Sequence, residues 1–166
     1  MHLEVILNHV EPFKSFVYKH TGWDKSDSVW KIRVQVEARA NGRPICSGCG
    51  EVRPGYDRLP ERTWEFVPLW QIPVLFVYAL RRVNCPDCGV VAERVPWSQG
   101  KHRQTTSYRW FLSRWAKRLS WQEVAEIFHT SWDTVFRCVR YTVEWGIVHR
   151  DLRGVEAMGI DEIQYQ

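Results

Sequence analysis

Between residues 29 and 40 the chain reads VWKIRVQVEARA, in which apolar and polar residues alternate with a period of two. Trp30, Ile32, Val34, Val36 and Ala38 fall on one side. Lys31, Arg33, Gln35, Glu37 and Arg39 fall on the other, the pattern of a half-buried β-strand. RTWEF and VLFVYALRRV predict further strands, with Pro68 and Pro73 punctuating the chain between them. VVAERVPW predicts another short one. Residues 1–28 carry the weakest pattern and read as a lead-in that packs on this sheet or feeds into it.

After Trp97 the period changes. Residues 98–106 are polar and basic and read as a linker. TSYRWFLSRWAKRL sets Phe111 and Trp115 four positions apart, the spacing of a helix face, with Trp110 beside them. Ser120 and Glu123 have the S-x-x-E form of a capping box and mark a second helix start. Val124, Ile127 and Phe128 supply its apolar stripe. HTS breaks the pattern, and Ser131 is placed to cap a third helix with Asp133 in its first turn. Val135, Phe136, Val139 and Val143 predict the apolar face of that helix, and Gly146 its stop. Three helices with a short turn before the last predict a helix-turn-helix. In such a unit the N-terminal residues of the last helix read base edges in a major groove. Ser131, Trp132, Thr134 and Arg137 are the candidate readers. From Lys101 to Arg118 there are six Lys or Arg and no Asp or Glu, so Lys101, Arg103 and Arg109 are candidate phosphate contacts.

Cysteine spacing adds the strongest chemistry. Four of the five cysteines form two C-x-x-C pairs, Cys46 with Cys49 and Cys85 with Cys88, each followed by glycine. Tetrahedral zinc takes four thiolates, and one tight turn offers two of them. The glycine permits a positive φ that turns N–H groups toward the sulfurs. Disulfides or two redox motifs use the same residues, but a cytosolic setting disfavours the first and a second matched pair is superfluous for the other. A small sheet of this size is expected to lean on the metal, so that Cys85→Ser would unfold much of it. Cys138, mid-helix, reads as a small core residue.

Composition narrows the rest. The chain has 166 residues, 45% hydrophobic and 25% charged, the balance of a globular protein. No apolar run approaches the ~20 residues that span a bilayer, and the N-terminus lacks the basic start of a signal peptide, which predicts a cytoplasmic protein without a membrane partner. The net charge of +4 permits a nucleic-acid partner without requiring one. Ten tryptophans predict small cores built from large rings, or stacking surfaces.

The order of parts then carries a resemblance. CSGCG, YALRRVNCPDCG, LSWQEVAEIFHTSWDTV and GIDE, in that order, resemble bacterial insertion-sequence transposases of the ISL-three family over most of residues 30–166. Residues 1–28 match only loosely. The resemblance implies an α+β chain. Its parts would be a lead-in (1–28), a four-cysteine zinc-binding β domain (29–97) and a basic linker (98–106). A helix-turn-helix DNA-binding domain (107–146) and the start of a ribonuclease-H-like DDE catalytic domain (147–166) would follow. It makes Asp161 the first of three metal-binding acids, on an orphan first strand, in a site that holds two Mg²⁺ or Mn²⁺ in the full-length enzymes. Glu162, on the opposite face of that strand, would not share its metal. Because the sequence stops five residues after Asp161, the expectation is a truncated transposase: DNA strand transfer in its family, inactive alone, and able to bind the terminal inverted repeats of its element. Double-stranded DNA is the expected partner. A second copy is a further one, since such transposases commonly act as dimers. The alternative is a stand-alone zinc-ribbon and helix-turn-helix transcriptional regulator.

Overall fold

The computed structural model describes residues 2–25, 29–151 and 153. The element order is α1 (Leu3–Val10), β1 (Phe16–Asp24), β2 (Lys31–Ala38), β3 (Gly55–Leu69), β4 (Ile72–Cys85), β5 (Gly89–Ala92), α2 (Thr106–Trp115), α3 (Trp121–Ile127) and α4 (Trp132–Val148). The described residues are thus α+β, with one five-stranded sheet and four helices. Strand order is β1-β2-β4-β3, with β5 paired to β4. The β1–β2, β3–β4 and β4–β5 pairs are antiparallel, and β2 lies parallel to β4 from Ile32 to Gln35.

Alternation in β2 is resolved as its sequence dictates: Ile32, Val34 and Val36 are buried while Lys31, Arg33 and Gln35 are half-exposed. Trp30 departs from this line. It lies before the strand, exposed, with its ring against that of Trp23. Pro68 and Pro73 do not separate the strands as expected. β3 and β4 form one hairpin whose turn is Trp70–Gln71, both residues at positive φ (48° and 67°), the conformation of a primed two-residue turn. A register shift between Phe66 and Leu69 absorbs Pro68, and Pro73 precedes the stretch from Val74 that bonds β2, so neither removes a needed N–H.

Within the expected lead-in, residues 2–25 pack on the sheet and add a strand to it. β1 pairs with β2 along its length, and α1 packs on β1. Leu7, Phe16 and Tyr18 belong to the same buried cluster as Val34, Trp64, Phe76 and Tyr78. Asn8 fixes α1 to the strand, donating to the Tyr18 carbonyl (3.0 Å) and accepting its N–H (3.2 Å). Trp97 sits at the centre of this core, fully buried. Its ring meets Phe16, Trp64 and Tyr78 at 5.0–5.6 Å in edge-to-face contacts.

Between β4 and the residue after β5 lies a buried ion pair. Glu93 accepts from the Tyr78 hydroxyl (2.6 Å), from the Arg81 backbone N–H (2.8 Å) and from the Arg81 guanidinium (2.7–3.1 Å). Arg81 also donates to the Gly42 carbonyl (2.7 Å). Burial, and then the bond to Glu93, push the Tyr78 hydroxyl well above the usual phenol range.

The segment 98–106 is not a free linker. Glu65 of β3 donates its N–H to the Arg103 carbonyl (2.7 Å) and accepts from the Thr105 N–H (2.8 Å). Arg62 donates to the His102 carbonyl (2.7 Å). These bonds hold the helices against the sheet edge, and Val67 of β3 reaches into their core. That core consists of Tyr108, Leu112, Val124, Ala125, Val135 and Cys138. Thr105 caps α2, Ser120 and Glu123 form both arms of a capping box on α3, and Ser131 caps α4. Gly146 does not stop α4, which runs on to Val148. A single glycine costs a helix only about 1 kcal/mol against alanine. Val143 is exposed rather than buried. The inner line of α4 passes through Val135, Cys138 and Thr142, and Val143 stands about 100° off it. No helix of the described residues is long and apolar enough to cross a membrane. Asp161, Glu162 and the expected orphan strand lie outside the described residues.

Candidate functional site

Two loops bring the four paired cysteines together. In the first, the bridge between Ile45 and Val52 closes a turn in which Gly50 donates to the Cys46 carbonyl (3.0 Å) and Cys46 to the Glu51 carbonyl (2.8 Å). In the second, Cys85 pairs with Gly89 across the β4–β5 turn. A bridge from Cys46 to Glu93, with the Arg94 N–H donating to the Ile45 carbonyl (2.7 Å), joins the two loops. The sulfurs of Cys46, Cys49, Cys85 and Cys88 all lie within 4.8 Å of one another, an arrangement that could hold a metal ion. Gly50 (φ 78°) and Gly89 (φ 73°) take the left-handed conformation expected after each second cysteine.

The electrostatics favour thiolate at Cys85 and oppose it at Cys88. Burial acts to raise the Cys85 thiol. The N–H groups of Asp87 and Cys88 and the neighbouring thiols outweigh it and hold the group down at about 7. The bond to Cys46, then burial, then Cys85 push the Cys88 thiol up to about 12. Four sulfurs this close cannot all be anions without a cation among them. Arg53 supplies one outer partner. It donates to Asp87 (2.7 Å), which spans the two loops, and the nearby Cys49 thiol raises its pKa. Gly48 went unnoticed in the sequence. A Cβ there would stand 2.7 Å from the Cys88 sulfur. Gly48→Ala is therefore expected to weaken metal binding roughly tenfold, as changes behind a ligand do, read by competition with a coloured chelator.

The candidate DNA contacts divide into two sets. Lys101, Arg103, Arg109, Thr134 and Arg137 converge on one notch of about 410 Å³, together with Glu65, His102, Gln104 and Cys138. Lys101, His102 and Arg103 are exposed on the loop segment before α2. Thr134 and Arg137 come from the first turns of α4. Arg137 is ion-paired to Asp133, one turn before it. Arg109 is not the surface phosphate contact that its sequence position suggests. It is buried (5% exposed), with its guanidinium 3.5 Å from the centre of the Tyr141 ring. Only a group that enters the notch can reach it.

Ser131 and Trp132 are committed elsewhere. The Ser131 hydroxyl accepts the Thr134 N–H (3.1 Å) and meets the Thr134 hydroxyl at 2.9 Å. Trp132, half-exposed, stacks on Phe136 with ring planes 4° apart and touches Trp121. One face of the ring is used for packing. Glu65 was not foreseeable as a wall of the notch. It arrives from the sheet, and its carboxylate is bonded by Gln104 (3.0 Å). Against known family models, curated proteins and solved structures, the chain shows no match.

Proposed function

We propose that this chain binds double-stranded DNA and does so in the context of DNA transposition. In this reading α3, the turn at 128–131 and α4 act as a helix-turn-helix, and the four cysteines hold one structural Zn²⁺. Thiolate softness and the closed four-sulfur geometry favour zinc over hard cations, which want oxygen ligands. The supporting observation is the placement of Lys101, Arg103, Thr134 and Arg137 around one notch beside the first turn of α4. Phosphate contacts there would set the register of α4 in a major groove, with the outer face of its first turns toward the bases. Asp161 enters as the first acid of a DDE site on the resemblance alone.

A mobility shift with the zinc-loaded chain on insertion-sequence terminal repeats tests the DNA reading. Affinity is expected to fall with salt by a slope of about −0.9 per phosphate contact in a log–log plot. Arg137→Ala should flatten that slope by about one contact. Equal affinity for unrelated duplexes would overturn the sequence-specific part, and no shift at all would overturn DNA binding.

A further inference from the structure

Arg109 has a neighbourhood unlike that of the half-buried Arg81. Arg81, 14% exposed at its side chain, is matched by the fully buried carboxylate of Glu93. Arg109 has no such partner. Among the described residues no carboxylate comes within 4.0 Å of its nitrogens, and it rests on the Tyr141 ring and the Cys138 thiol. Burial draws its pKa down, since water no longer solvates the charge. A buried cation facing a roomy polar cavity, with no carboxylate nearer than Glu144, which acts on it from beyond ion-pair distance and already pairs with Arg140, is an incomplete ion pair.

The rest of the notch has the matching sign. Lys101, Arg103 and Arg137 line it beside Arg109, against the one carboxylate of Glu65, which Gln104 already occupies. His102, also on the lining, has its pKa lowered by partial burial and then by Arg109, Arg137, Arg62 and Arg140. That imidazole reports a positive field. A planar guanidinium at the floor of such a notch presents paired N–H donors suited to a tetrahedral oxyanion.

We propose that this notch is a phosphate-binding site, with Arg109 as its buried anchor. The occupant is one phosphodiester of a DNA strand, gripped by the segment 101–104 on one side and by Thr134 and Arg137 of α4 on the other. The site rests on the DNA-binding reading for the source of the phosphate, and on Arg109 for its existence. Filling it would lock the sheet-bound segment and α4 to the same point of the backbone.

Inorganic phosphate alone, titrated into the zinc-loaded full chain at constant ionic strength, is the first probe. Saturable binding is expected, with the His102 imidazole moving to a higher pKa by NMR as the anion offsets the surrounding arginines. Arg109→Gln should weaken phosphate binding roughly tenfold or more, as loss of a charge-assisted bond does. The exposed pair Lys101→Gln and Arg137→Gln, which do not carry the fold, should weaken it several-fold each. Arg39→Gln, in the loop after β2, should leave it unchanged. Loss of effect in all three notch variants would overturn the site, as would phosphate acting no differently from chloride.

A second arm uses duplex DNA with single methylphosphonates. One neutralised position should weaken binding to the wild type but not to Arg109→Gln. Phosphate binding without duplex binding would keep the site and overturn DNA as its source. Duplex binding with no position coupled to Arg109 would keep the DNA reading and overturn the site.

Discussion

Replacing Glu93 by alanine is expected to lower the unfolding free energy by roughly 3–5 kcal/mol, because it strands the largely buried Arg81 guanidinium without its counter-ion. Glu93 is 3% exposed and accepts bonds from Tyr78 and from both the backbone and side chain of Arg81. Removing it leaves those donors facing apolar neighbours, where each unmade bond costs about 1–3 kcal/mol. Tyr78→Phe removes one bond and no charge, so its loss should be about 1 kcal/mol. Urea unfolding followed by circular dichroism reads both. Replacing Arg81 and Glu93 together by apolar residues of similar volume should recover much of the loss. A drop below about 1 kcal/mol for Glu93→Ala would mean that water solvates the pair.

The ion pair was invisible in the sequence, for a physical reason. VVAERVPW reads as a strand with Glu93 at an ordinary polar position, and nothing local says that both of its faces are covered. β5 in fact ends at Ala92, and Glu93 is drawn inward because the first cysteine loop bridges to it at Cys46. Period-two alternation did fix β2, since one face of that strand is buried and the other is not. The caps at Ser120 and Ser131 were equally legible, being local hydrogen bonds between neighbours in sequence.

Long-range placement was not legible. Phe16 and Tyr18 alternate correctly, yet the stretch is too short to outweigh Pro12 and Lys14 when read alone. Arg109 lies in a basic, acid-free run and looks like a surface charge. Its burial comes from α4, whose Tyr141 covers it from 32 positions away. The cysteine geometry was the most legible part of the site. C-x-x-C spacing is a local constraint repeated twice, and the glycine φ values accompany it.

Stripping the metal should collapse the cysteine loops and leave most of the sheet and the helices folded. That expectation narrows the one drawn from sequence, in which Cys85→Ser unfolds much of the sheet. The reason lies in how the cores divide. Cys46, Val83 and Cys85, with Cys88 and Val91, form a small cluster of their own. The main cluster around Trp97, Phe76 and Val34 contains none of the cysteines. Metal–thiolate bonding worth roughly 10–16 kcal/mol in small zinc domains would be spent mainly on ordering the two loops. About one Zn per chain is expected by atomic absorption. Uptake at pH 7 should release protons, because the Cys88 thiol, pushed up to about 12, holds its proton until a cation displaces it. After chelation, or in Cys85→Ser, hydrogen exchange should speed up at residues 45–53 and 85–94. Amides of β2 and α2 should stay protected. The Arg81–Glu93 pair sits at the boundary, since the Cys46–Glu93 bridge couples it to the loops, and should loosen first beyond them. Loss of protection throughout β2 and β4 on metal removal would show that the two clusters act as one, and that the sheet does depend on its four cysteines.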